Sequence, residues 1–303
     1  MVEEQKRKYQ DFLEDMIVEV KNELGDEYTI QINTVLKNNN VSLDGLIIRK
    51  GEVKITPNIY LHDFYQRYLK GEEWKSLVQE VIQIYLDKSK EQSEFDINFT
   101  YEQMKDSIIY RLVNYERNQE LLKTIPYIRF LNLAVTFHCL VKSDEDGIGT
   151  IRITKEHLKQ WKVNEEEIVS QAFHNTQIHF QPVIRTMKEI LQEFIEFPVL
   201  VDEIEPSQNM YVLTNSLGIN GASCLLYDSV LLNFSKHLQS NFYILPSSIH
   251  EILLIPEDDS IDHEQLKQMV MEVNQTQVPE DEILSDSVYY YSREEDKIEM
   301  IMI

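Results

Sequence analysis

The stretch MYVLTNSLGINGASCLLYDSVLLNFSKHLQSNFYILPSSIHEILLIP, Met210 to Pro256, decides the fold. Its apolar runs are short and turn residues punctuate them. Met210 to Thr214 reads as a strand, Ser216 to Gly221 as a loop and Ala222 to Tyr227 as a second strand. Asp228 is expected to cap a helix through Leu238. Phe242 to Leu245 and Ile249 to Ile255 read as two further strands, with Pro246-Ser247-Ser248 as the turn between them. Strands joined by tight turns around one helix predict antiparallel pairing.

The same clustering recurs outward from this segment. Residues 3–24 form an amphipathic helix, with Tyr9, Phe12, Leu13, Met16, Ile17, Val20 and Leu24 on one face and Gly25 as its stop. Tyr28, Ile30 and Ile32 then alternate with polar residues as on a strand. Asn38-Asn39-Asn40 is turn chemistry, Val41 to Arg49 the return strand, and Val53 and Ile55 suggest a third. Helices are predicted over Leu61–Leu69 and Glu73–Leu86. A longer one is predicted from Thr100, with Met104, Ile108, Leu112 and Tyr115 as its stripe. Pro126 marks a domain boundary, giving units 1–126 and 127–303.

The second half restarts with a strand over Phe130–Val141, a turn at Asp144–Gly147 and a return through Ile153. Asn164 to Glu167 reads as a capping box. Pro182 suits a helix start, Pro198 and Pro206 flank a short strand or extended link, and an Asp262-to-Gln265 capping box opens another helix. A last hairpin turns at Arg293 to Asp296. Helices and strands come in groups rather than strict alternation. The predicted class is α+β, with antiparallel sheets, packed helices and two sub-domains.

Composition narrows the function. The 303 residues are 43% hydrophobic and 27% charged, as in soluble globular proteins. The longest apolar run, Phe130–Val141, is too short for a span and is broken by Asn132, Thr136 and His138. The first residues, MVEEQKRKYQDFLEDM, lack an apolar core, so no secretory signal is expected. Two cysteines form no disulfide framework and fit a reducing cytoplasm. The net charge of −23 repels phosphate backbones, so no direct nucleic-acid binding is expected. Residues 257–303 carry fourteen Asp/Glu against three Lys/Arg. That is a solvating face, a surface for a basic protein partner, or a mimic of DNA.

Cys224 and His250 are the first candidates for chemistry, since an imidazole can generate and stabilise a thiolate. Glu251 or Asn215 could orient the ring, and Ser247 or Ser248 could donate to an oxyanion. Against this, Cys224 reads into an apolar strand, where Cys behaves as a small hydrophobe. Ser248 and His250 share a face on an extended chain, so Ser247, Ser248, Asn215 and Asn220 are ligand-binding candidates. Arg111, Asn114 and Tyr115 to Asn118 read as an exposed helical end or a recognition surface. His174 and His179 are wrongly spaced for a metal and His138-Cys139 are adjacent, so no metal site and no cofactor are expected.

LDGLIIRKGEVKITPNIYL (43–61), VNYERN (113–118), YVLTNSLGINGASCLLY (211–227) and FYILPSSIHEILLIP (242–256) resemble the domain of unknown function 5688 family over most of the chain. The resemblance implies a bacterial cytoplasmic protein, from a family often encoded near mobile elements, and supplies no activity or site residues. The first expectation is a non-enzymatic binding or regulatory factor, such as a mobile-element accessory. The others are a Cys/His-dependent hydrolase or transferase and an acidic DNA mimic.

Overall fold

The computed structural model describes residues 8–51, 56–92, 99–144, 147–194, 210–258 and 260–302. The chain forms two compact units, residues 1–37 with 41–98, and residues 38–40 with 99–303. It is α+β, as the grouping of elements predicts.

In the first unit, helix α1 (Tyr9–Leu24) precedes strands β1 (Tyr28–Leu36), β2 (Ser42–Lys50) and β3 (Asn58–Tyr60), then helices α2 (His62–Leu69) and α3 (Trp74–Gln92). The strands form an antiparallel sheet in the order β1-β2-β3. Phe12, Leu13, Met16 and Val20 of α1 are buried with Leu46, Ile48, Ile59, Phe64, Leu77 and Val81. The 3.6-residue period of α1 and the two-residue period of β1 therefore serve one core.

The second unit opens with helix α4 (Tyr101–Met104), strand β4 (Ile108–Asn114) and helix α5 (Gln119–Leu122). Strands β5 (Tyr127–Phe130), β6 (Leu133–Asp144) and β7 (Gly147–Arg152) follow, then helices α6 (Lys155–Trp161) and α7 (Glu165–His179). β4 lines one side of β6, and β5 and β7 share the other. β4 is thus an edge strand. The remaining elements are β8 (Pro182–Thr186), α8 (Met187–Phe194), β9 (Tyr211–Asn215), α9 (Val230–Leu238), β10 (Phe242–Leu245), β11 (Ile252–Pro256), α10 (His263–Thr276), β12 (Tyr289–Ser292) and β13 (Lys297–Met300). Their strands make a six-stranded antiparallel sheet, β13-β12-β10-β11-β9-β8. The Met210–Pro256 segment supplies its three central-to-flanking strands, β9, β10 and β11.

Several expectations are corrected. The long helix from Thr100 is a single α turn, a 3-10 turn and β4. Ile108 and Leu112 do lie at helical steps. However, apolar residues fill both parities of Ile108–Val113, as in a strand buried on both faces. Residues 99–126 consequently join the second unit, and the division falls between 98 and 99 rather than at Pro126. The strand expected over Phe130–Val141 is two strands, hinged where Leu131 takes a φ of 52°. Pro182 opens edge strand β8, where its missing N–H breaks no ladder; the helix begins after Thr186, which exchanges capping bonds with Glu189. Gly221–Leu226 is a 3-10 helix and not a strand, with i→i+3 bonds such as Tyr227 N–H to the Cys224 carbonyl. Ser229, not Asp228, precedes α9. Asp262 caps α10 through the Glu264 N–H. The Asn164–Glu167 box forms as expected. The strand expected around Val53 and Ile55, turn residues Glu145 and Asp146, Ile195 and the Pro198–Pro206 link lie outside the described residues.

Asn38–Asn40 illustrates how side chains replace ladders in the second unit. Asn39, buried and at a φ of 56°, exchanges two bonds with Asn118 and donates its amide to the carbonyls of Glu280 and Ile283 at 2.8 and 2.6 Å. Asn39→Ala orphans these groups and puts an alanine where asparagine tolerates the backbone. We expect it to cost about 2–4 kcal/mol in urea unfolding; a change below about 0.5 kcal/mol would contradict this role.

Candidate functional site

The loop after β9 is held by side chains rather than by strand pairing. The Asn215 amide donates to the Ile219 carbonyl at 2.8 Å, and its oxygen accepts the Leu217 N–H at 3.0 Å. This is an Asx turn, the reason asparagine suits such positions. Gly218 and Asn220 take φ values of 66° and 53°, in the left-handed region these residues tolerate. Gly221 has no room for a side chain: a Cβ would lie 2.1 Å from Thr214 Oγ1 and 2.4 Å from the His250 carbonyl oxygen.

His250 anchors the loop from the other side. Its Nδ1 accepts the Asn220 N–H at 3.2 Å, which places the ring proton on Nε2. Nε2 faces Glu282 Oε1 at 3.4 Å. The His250 carbonyl accepts Thr214 Oγ1 at 2.8 Å, and its N–H donates to Ser248 Oγ at 2.9 Å. Ser247 and Ser248 are buried, and their backbone is zipped to residues 282–285. Glu251 is exposed as a residue, yet its carboxyl is raised above the ordinary range, by burial first and by Glu282, against the opposing pulls of His250 and Ser248.

Cys224 is turned to different partners. It is fully buried, and its Sγ donates to the Thr214 carbonyl at 3.3 Å. Burial pushes the thiol up to about 12, although a hydrogen bond with Tyr227 opposes the shift. At neutral pH only about one thiol in 10⁵ would be ionised. The structure therefore brings Asn215, Asn220 and His250 together around the loop, and Ser247, Ser248 and Glu251 behind His250. Cys224 bonds into the core on Thr214 and Tyr227.

Arg111 lies beneath the same loop. Ile109, Tyr110 and Arg111 of β4, Ile148 of β7, Thr176 and Phe180 on or just after α7, and Asn215, Ile219, Asn220, Ser223 and Tyr227 line a cavity of about 10 Å³. That is room for about one water-sized group. The Arg111 Nε is sealed from solvent and has no hydrogen-bond partner. Burial, then the like charge of Arg152, pulls its guanidinium down to about 10. Strand register explains why Arg111 and Arg152 lie near each other and near His138. Arg111 sits opposite Thr136, and His138 opposite both Ile109 and Arg152, so Arg111, His138 and Arg152 occupy one face. His138 is buried, 3.1 Å from Thr136 Oγ1, and held well below the usual imidazole range by burial and then by the two arginines.

In sequence Arg111 reads as part of an exposed helical end or a recognition surface. It is instead one cation in an apolar strand, with Asn114 and Asn118 buried beyond it. The legible signal was the interruption itself: a single charge in IIYRLV (108–113).

Two measurements check this geometry. His138 stays neutral in the fold but protonates near its ordinary pKa when unfolded, so its contribution to stability is lost as pH falls below about 6.5, with a limiting slope of about 1.4 kcal/mol per pH unit. His138→Gln should lack that component in urea unfolding between pH 6.5 and 5; an unchanged slope would contradict it. Cys139 and Cys224 are both buried, so iodoacetamide at neutral pH should label neither until urea is added. Rapid labelling of native Cys224 would refute the packing described.

No curated protein and no solved structure matches the chain. The model of the family described as a family of unknown function, DUF5688, matches residues 9–293. The chain therefore belongs to the family of unknown function DUF5688.

Proposed function

We propose that this protein is a non-enzymatic binding or regulatory factor, and that the Ser216–Gly221 loop with the cavity beneath it is its ligand-facing element. One observation carries the reading: the acceptor nitrogen of His250 is occupied by the Asn220 N–H. A general base needs that lone pair free and within reach of the proton it takes. His250 spends it on holding a loop, while the Cys224 thiol bonds to Thr214. Both residues of the hydrolase or transferase alternative thus have structural work that accounts for them.

The ligand-binding candidates fare differently. Asn215 shapes the loop, and Asn220 lines the cavity with its backbone fixed by His250. A loop held by these bonds above a small cavity suits noncovalent recognition. A bacterial cytoplasm, an accessory role for a mobile element and a basic partner for the acidic C-terminal portion remain part of this proposal, resting on the family resemblance and on charge. Among the described residues no helix is long and apolar enough to cross a membrane.

A mixture of small metabolites, incubated with the protein and followed by mass spectrometry and thermal unfolding, tests the reading. Some compounds should raise the unfolding temperature, and all should be recovered unchanged. Consumption of a compound by the wild type but not by Cys224→Ala would overturn it.

A further inference from the structure

We propose that Arg111 anchors a site for a small oxyanion, the phosphoryl or carboxylate end of a small molecule, with the Asn220 side-chain amide as a second donor. The inference rests on the binding reading and names its ligand chemistry. A buried guanidinium is normally paired, because removing it from water without an anion is costly. Arg111 is only half-buried as a residue, but its Nε is cut off from water and breaks that rule. Its Nε is sealed and unbonded, no ion pair among the described residues uses it, and the charge acting on it is the like charge of Arg152. Among the described residues the Asn220 side chain also lacks a hydrogen-bond partner, though its backbone is fixed by His250.

Arg111 and Asn220 are both among the residues that line the cavity. Its size admits one oxygen-sized group rather than a whole ligand, so the terminal oxygen of an oxyanion is what fits against the guanidinium. The setting also favours an anion specifically. In a chain of net charge −23, negative ligands are repelled nearly everywhere. On this face the register sets Arg111 among uncharged neighbours, Ile109, Thr136 and the neutral His138, with Arg152 as the nearby like charge. An incoming oxyanion would give Arg111 the partner that the fold withholds.

The stability of the ligand-free protein separates this role from a structural one. An arginine kept for folding lowers stability when removed. One kept unpaired for a ligand raises it when replaced by an apolar side chain of similar length. Thermal unfolding should be followed in sodium phosphate and in sodium acetate, with sodium chloride matching the ionic strength. We expect one of the two oxyanions to raise the unfolding temperature of the wild type to saturation; whichever does so at lower concentration identifies the source as phosphoryl or carboxylate. Arg111→Met should unfold at a higher temperature than the wild type without ligand and should not respond to either anion. Asn220→Ala should respond only at about tenfold higher concentration or more. Should Arg111→Met fail to fold, Arg111→Lys carries the test, because a single ammonium in place of the planar fork should weaken binding by about tenfold or more.

The proposal is overturned if neither oxyanion acts, if chloride alone acts equally well, or if the Arg111 variants respond as the wild type does. An uncharged metabolite that stabilises the protein while both oxyanions do nothing would sink the oxyanion inference and leave the binding reading intact. Cys224-dependent consumption would sink the binding reading instead.

Discussion

The open edge of β4 is the constraint on which the second unit depends. An edge strand presents backbone groups that must find partners once buried. Here side chains close it. The Tyr110 N–H donates to Thr176 Oγ1 at 2.9 Å, and the Asn175 amide donates to the carbonyls of Lys105 and Ile108 at 2.8 and 3.0 Å. The Tyr110 hydroxyl reaches the Ser223 carbonyl at 3.0 Å, and the Asn114 amide reaches the Leu284 carbonyl at 2.9 Å. Helix α7 satisfies backbone groups of this strand, and side chains of the strand in turn hold the 3-10 turn after the loop and the chain near residue 284. Asparagine and threonine can do so because their short polar groups substitute for a ladder.

That closure places the loop over Arg111. Tyr110 ties to Ser223, and Ser223 lies two residues beyond Gly221, whose packing against Thr214 leaves no space for a Cβ. His250 then fixes Asn220 from the six-stranded sheet side. The result is a small cavity with a rigid polar rim and a cation in its wall. A guanidinium nitrogen sealed without a bond opposes folding, and local inconsistencies of this kind concentrate where a protein acts on something else. The same reasoning assigns Cys224 to the core, since its bonds and burial are satisfied internally.

Much of the fold was legible in residue order. The stripe Phe12-Leu13-Met16-Val20, the alternation from Tyr28 and the Asn38–Asn40 turn each carry a local period or a turn signal strong enough to stand without tertiary context. β4 reads as a helix because its apolar residues occupy both strand faces, a pattern that also satisfies a helical stripe. Ala222–Leu226 was misread for the related reason that a buried 3-10 turn and a buried strand share a composition. Within the site, His250, Asn215 and Asn220 were visible as turn-adjacent polar residues. Arg111 reads as part of an exposed helical end or a recognition surface, because the sequence does not show that its strand is covered on the open side. That no described residue gives Arg111 a counter-charge is a property of neighbours brought from β6 and β7, and no local window contains it.

The central claim is that the Arg111 Nε, which has no partner among the described residues, acquires one from an oxyanion. The most direct measurement is the side-chain Nε–H resonance of Arg111 in nitrogen-15 NMR, assigned by its loss in Arg111→Lys and titrated with inorganic phosphate and with acetate. The account expects a resonance without a hydrogen-bond shift in the anion-free protein, moving downfield to saturation with one of the two anions. A resonance already shifted in the anion-free protein, or one that neither anion moves, would contradict it.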